Sequence, residues 1–209
     1  VCENNVKSAA FLPKTLISAR RRAILTILLM ARAFAPDGSE LMTTMQAMRI
    51  IDECAGDILR SDGFKLEKRF VQHGKISVFK HSLFVAVTCL KIADKLRLRV
   101  DTRSLVRGAL LHDYFLYDWH DGDKTHRLHG FRHARRAFKN AERDFGLNAV
   151  EKNMILSHMF PLNLILPKCR ESVILCVADK LCATRETLYG TKRRRRTRHS
   201  VPVPADSRI

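Results

Sequence analysis

The sequence predicts an all-α protein, a single-domain helical bundle, and three observations carry that prediction. Apolar residues recur at helical spacing through most of the chain from Met42 onward. Stop and cap residues, such as "SDG" at 61–63 and Gly146, divide that pattern into separate helices. No stretch shows a run of strand alternation, and no segment repeats.

The elements follow in order. "MQAMRIIDECAGDILRS" (45–61) has apolar residues at helical intervals and ends at "SDG". "KRFVQHGKISV" (68–78) reads as a short connection, and "FKHSLFVAVTCLKIADKLRLRV" (79–100) as a long helix with Phe84, Val87 and Leu90 on one side. Asp101 and Thr102 are candidate caps for "RSLVRGALLHDYFLY" (103–117). "DWHDGDKTHRLHG" (118–130) is polar and loop-like. "FRHARRAFKNAERDFG" (131–146) is helical and closes on Gly146. Two further helices lie in "NAVEKNMILSHMF" (148–160) and "CRESVILCVADKLCATRETLYG" (169–190).

Composition sets the outer limits. At 209 residues with 46% hydrophobic content, the chain can bury one proper core. The net charge of +17 is unevenly placed, since residues 191–209 hold seven Lys or Arg against one Asp. We therefore divide the chain into a peripheral segment 1–41, a domain 42–190 and a basic tail 191–209, expected to be a disordered arm. Within 1–41, "RRRAILTILLMARAFAP" (20–36) resembles a secretory signal, but Arg32 interrupts it and about twenty residues precede it. It is also too short to span a bilayer, so no transmembrane segment is expected. Met42, Met45 and Met48 sit where the domain begins, so segment 1–41 is read as lying outside it. Six cysteines (Cys2, Cys54, Cys89, Cys169, Cys176, Cys182) form no C-x-x-C pair, and several lie in apolar stretches such as "VTCLKIA" and "VILCVADKLCA". They read as reduced core thiols, and the chain as cytoplasmic.

The chemistry concentrates in histidines and aspartates. In "VRGALLHDYFLYDW" (106–119), His112 and Asp113 stand side by side between apolar runs. His81, His133, His158 and Asp179 are likewise set in apolar sequence, on other helices. Taken singly, such a His is more often a hydrogen-bonded core residue, and such an Asp a cap or ion-pair partner. His73, His120, His126, His129 and His199 are read that way. Jointly the six are harder to explain, because burying an uncompensated carboxylate costs several kcal/mol. A shared divalent cation offsets that cost, and imidazole with carboxylate suits such an ion.

The order His … His-Asp … Asp resembles the HD-domain superfamily of metal-dependent phosphohydrolases. The words "KHSLFVA", "RGALLHDYFLYDW", "HGFRHA", "ILSHMFPL" and "VADKLCA" resemble a small bacterial branch of it, over roughly residues 45 to 188. The resemblance implies an HD-type bundle in which His81, His112, Asp113 and Asp179 hold a first metal. It implies that His133 and His158 add a second, with Asp113 bridging. His129, four residues before His133, competes for that place, and we favour His133. His112 and Asp113 become the catalytic pair, with one or two ions (Fe, Mn, Mg, Zn, Ni or Co) acidifying water and withdrawing phosphoryl charge.

Lys80, Arg107, Arg132 and Lys180 flank these positions as candidate ligands of a substrate phosphate, although surface solubility explains each equally well. The cyclic di-GMP hydrolases of the superfamily carry a Gly-Lys shortly after the His-Asp and a Gly-Tyr-Pro element; here "HDYFLYDW" follows instead and neither is present, nor is a synthetase module. The expected function is hydrolysis of a phosphoester in a nucleotide or a related small phosphorylated compound. The alternatives are a catalytically silent module that binds metal or nucleotide, and a charge-driven nucleic-acid binder working through the basic tail. Without aromatic stacking or base-reading motifs the last is disfavoured.

Overall fold

A capping box starts the first helix, α1 (Thr44–Arg60). Thr43 Oγ1 accepts the Gln46 backbone N–H at 3.2 Å, and the Gln46 side chain accepts the Thr43 N–H at 2.7 Å. In this computed structural model, residues 42–73, 76–117 and 129–198 are described, except for the side chains of residues 73, 129–131 and 189–198. The peripheral segment 1–41 and the five bystander histidines therefore lie, wholly or by their side chains, outside the described residues.

Helix α1 buries Ala47, Ile51, Ala55 and Ile58, at steps of three and four along one face. Ser61 closes it and then caps a short helix, α2 (Asp62–Leu66), by accepting the Phe64 N–H. A 3₁₀ turn (Glu67–Arg69) leads to a small antiparallel hairpin of β1 (Val71–His73) and β2 (Ile76–Ser77). The segment expected to be a plain connection is thus a hairpin. Strands of three and two residues are too short to display alternation, which is why the sequence pattern missed them.

Helix α3 (Val78–Lys95) is capped by Ser77 and buries Val78, His81, Ser82, Val85, Ala86 and Cys89. Of the row Phe84, Val87 and Leu90, Phe84 is 51% exposed and Leu90 is buried. Each step of three falls short of a full turn, so a row built only on that step drifts around the helix, here from solvent to core. Helix α4 (Thr102–Leu111) starts from Asp101, whose carboxylate accepts the Ser104 N–H at 3.1 Å; Thr102 is the first helical residue rather than the cap. Every side chain from Ser104 to Leu111 is buried, and the helix ends at His112.

Helix α5 (His129–Phe145) terminates at Gly146, whose φ of +58° closes it in the left-handed conformation that glycine adopts freely. Helix α6 (Ala149–Ser157) has a second capping box, Asn148 with Glu151, and ends at His158. Helix α7 spans Arg170–Arg198. It continues past residue 190 into the stretch expected to be a disordered arm. Lysine and arginine have high intrinsic helix propensity, so a basic run can prolong a helix without any apolar periodicity.

The packing follows these faces: α3 lies between α4 and α7, α4 between α1 and α6, and α6 between α5 and α7. Ile51, Val85, Leu105, Leu110, Met154 and Leu175 fill the centre. At the α4–α6 crossing, a Cβ on Gly108 would stand 2.6 Å from Met154 Sδ, so a larger residue there would have to push the Met154 thioether aside. The crossing matters for the site, because His112 and His158 end these two helices and their ring centroids come to 5.0 Å. Among the described residues no helix is long and apolar enough to cross a membrane, and the five described cysteines are free thiols.

Candidate metal centre

Five helices contribute to one buried cluster. The first turns of α3 place His81, the end of α4 places His112 and Asp113, α5 carries His133, the end of α6 carries His158, and α7 carries Asp179. All six side chains are buried. They fall into two groups, His81–His112–Asp179 and Asp113–His133–His158, with donor atoms within 4.8 Å of one another in each. His81 Nε2 lies 3.2 Å and His112 Nε2 3.7 Å from Asp179 Oδ1. His133 Nε2 and His158 Nε2 lie 3.4 and 3.5 Å from Asp113 Oδ1. The other oxygen, Asp113 Oδ2, lies 3.4 Å from His112 Nε2 and 3.9 Å from His81 Nε2. One carboxylate therefore faces both groups, an oxygen toward each.

The outer ring nitrogens fix which atoms point inward. His112 Nδ1 donates to the Ala109 carbonyl at 2.8 Å, and His158 Nδ1 to the Ile155 carbonyl at 2.7 Å. A carbonyl only accepts, so each Nδ1 carries a hydrogen and each Nε2 is the ring nitrogen turned toward the cluster. His81 Nδ1 sits 3.0 and 3.1 Å from the two carboxylate oxygens of Glu186.

Charge in the cluster is balanced by contact. Burial disfavours a charged His81, yet Asp179 and Glu186 outweigh it and lift the imidazole to about 9. His112 is also raised well above the usual imidazole range: Asp113 and Asp179 prevail over desolvation. Burial pushes the carboxyls of Asp113 and Asp179 upward, but the neighbouring imidazoles hold both well below the carboxylate range. Two donor atoms have no hydrogen-bond partner despite being buried, His112 Nε2 and Asp113 Oδ1. An uncompensated polar atom in a packed interior is costly, and both belong to groups that ligate divalent ions. The residues present fit a metal.

Three polar side chains that the sequence reading passed over complete the surroundings. Gln72, on β1, donates to Asp113 Oδ2. Glu186 holds His81, seven residues after Asp179 on α7, a spacing of about two turns that returns to the same face. That interval was a readable signal; nothing in the sequence pointed to Gln72. Glu67 is fully buried with both carboxylate oxygens unpartnered, and burial together with the charge of Asp113 pushes its pKa well above the usual carboxylate range. Asn140 pins the chain just after the His-Asp pair by donating to the carbonyls of Tyr114 and Phe115 at 3.1 and 3.0 Å.

The four candidate phosphate ligands divide. Lys80 and Arg132 are exposed. Lys180 is half-buried and donates to the carbonyls of His158 and Cys176, at 3.0 and 3.3 Å. Arg107 is a correction to the sequence reading: its guanidinium is buried and committed to the scaffold. It bonds Glu151 at 2.9 Å, Asp57 at 3.0 Å and the carbonyls of Phe145 and Gly146 at 3.3 Å. Five residues separate it from His112, and that helical rotation turns it away from the cluster toward α1 and the α5–α6 turn.

No curated protein and no solved structure matches the chain. A family model, the HD domain, matches residues 78–184, a segment that begins with α3 and contains all six clustered side chains. It spans just over half of the 209 residues, and the helical architecture agrees with it. A buried His/Asp cluster delivered by five helices, with its adjacent His-Asp pair at a helix end, is thus a feature of a chain that belongs to the HD-domain family.

Proposed function

We propose that the protein is a metal-dependent phosphohydrolase cleaving a phosphoester of a nucleotide or a related small phosphorylated compound. The observation that carries this reading is the division of Asp113, with Oδ2 toward His81 and His112 and Oδ1 toward His133 and His158. In this reading His81, His112, Asp113 and Asp179 hold one divalent ion, and Asp113, His133 and His158 hold a second. Such ions supply Lewis acidity toward a phosphoryl oxygen and make a bound water acidic. The chain's own part is placement. The Nδ1 hydrogen bonds of His112 and His158 keep their Nε2 atoms inward, and Gln72 holds Asp113 by Oδ2. The exposed Lys80 and Arg132 are the remaining candidates for meeting a substrate phosphate, and the net charge of +17 attracts anions to the surface.

The test strips the protein of metal with a chelator and restores Mn²⁺, Fe²⁺, Co²⁺, Zn²⁺, Ni²⁺ or Mg²⁺ singly. Each form is assayed for phosphate release from phosphomonoesters, phosphodiesters and dinucleotides. Metal-dependent release that disappears in His112→Ala and Asp113→Ala is expected. Metal uptake without turnover of any member of the panel overturns the enzymatic reading and leaves a binding module.

A further inference from the structure

We propose that Glu186 is the positioning residue for His81, holding its ring so that Nε2 is committed to the ion; this rests on the metal-centre reading above. Helix geometry shows why His81 needs an outside partner. His112 and His158 stand at the ends of α4 and α6, where the last carbonyls have no intrahelical partner and are free to accept an Nδ1 hydrogen three residues on. His81 occupies the first turns of α3, where the spare backbone groups are N–H donors. No carbonyl is left over there, so an acceptor must come from elsewhere.

Glu186 supplies it from α7, at a sequence distance of 105 residues. Both oxygens approach the same nitrogen, Oε2 at 3.0 Å and Oε1 at 3.1 Å, and Glu186 is only 9% exposed. A carboxylate accepts more strongly than a carbonyl, so it fixes the tautomer and makes the opposite nitrogen a better ligand. Glu186 lies beyond residue 184, where the family match stops, so the matched segment alone does not contain it.

The test measures Zn²⁺ affinity by competition with a chromophoric chelator, for wild type, Glu186→Ala and Glu186→Gln, with melting curves alongside. Glu186→Ala is expected to bind the first Zn²⁺ about 10- to 100-fold more weakly. Glu186→Gln, which keeps an acceptor oxygen and loses the charge, is expected to fall between the two, and it decides the matter if the alanine variant does not fold. In the Zn²⁺-loaded wild type, long-range ¹H–¹⁵N spectra should show His81 protonated at Nδ1, and Glu186→Gln should broaden or shift that signal. Wild-type affinity in the glutamine variant together with an unchanged His81 signal overturns the role of Glu186 while the metal centre stands. Failure of the wild type to take up Zn²⁺ overturns both at once.

Discussion

His133 Nε2 lies 2.9 Å from His158 Nε2, and Asp113 Oδ1 is 3.4 and 3.5 Å from the two of them. Three donor atoms from three helices converge there, apart from the group built on Asp179. Asp113 belongs to this second group and also turns Oδ2 toward His112 and His81 of the first, at 3.4 and 3.9 Å. Removing one end should therefore leave the other able to bind. His158→Ala is expected to lower the Mn²⁺ content by one ion per chain while the remaining ion stays. Asp113→Ala, which faces both groups, is expected to weaken both. Elemental analysis after dialysis against Mn²⁺ reads the difference. Equal losses in the two variants would show that the groups do not bind separately.

Gln72 offers a sharper probe of the shared carboxylate. Its amide donates to Asp113 Oδ2 from β1, outside the helices that carry the ligands. Gln72→Leu keeps the approximate volume and removes the donor, leaving that oxygen unpaired on one side. Loss of an outer partner of this kind costs roughly 10- to 100-fold in metal affinity or activity. The variant is expected to melt near the wild-type temperature when metal-free, yet to require far more Mn²⁺ for half-saturation. A half-saturation concentration equal to that of wild type would assign Gln72 to packing alone.

Glu67 makes a prediction about pH. Its native pKa is raised well above 4.5, first by burial and then by Asp113. Below 4.5 the carboxyl is protonated in folded and unfolded chains alike, so it contributes nothing to the balance. As pH rises past that point the unfolded chain ionises while the native chain keeps its proton, and stability falls. Glu67→Gln removes this component, because the amide does not titrate. The metal-free variant should melt above wild type at pH 8, and the gap should close as pH approaches 4. Differential scanning calorimetry across that range checks it, and a gap independent of pH would contradict the raised pKa.

How much of this was readable beforehand varies with the physical origin of each feature. The six clustered residues stood out because a His or Asp amid apolar neighbours conflicts with its own surroundings, and Asp179 inside "VILCVADKLCA" is the plainest case. The helices of the bundle showed through their apolar rows and caps, Asp101 and Gly146 among them. The β1–β2 hairpin did not, being too short to carry a period. Gln72 and Glu67 were invisible for a related reason: they lie in polar-looking text, and only tertiary packing buries them. Arg107 was misread because adjacency in sequence suggested adjacency to His112, whereas helical rotation separates them.

Arg107 supplies the last prediction. Its guanidinium joins four partners at once: the carboxylates of Glu151 and Asp57 and two carbonyls at the end of α5. Glu151 is itself buried and belongs to the capping box of α6, so the ion pair fastens α4 to the start of the helix that delivers His158. Breaking one side of a buried pair leaves an uncompensated charge and costs about 3–5 kcal/mol. Arg107→Ala is expected to lower the unfolding free energy by that amount in urea titrations. Lysine should not restore it, because a single ammonium cannot span the fork of a planar guanidinium. If Arg107 instead met substrate phosphate, the alanine variant would keep its stability and lose affinity for substrate. Denaturation and kinetics measured on the same preparation therefore separate the two roles, and the geometry commits Arg107 to the first.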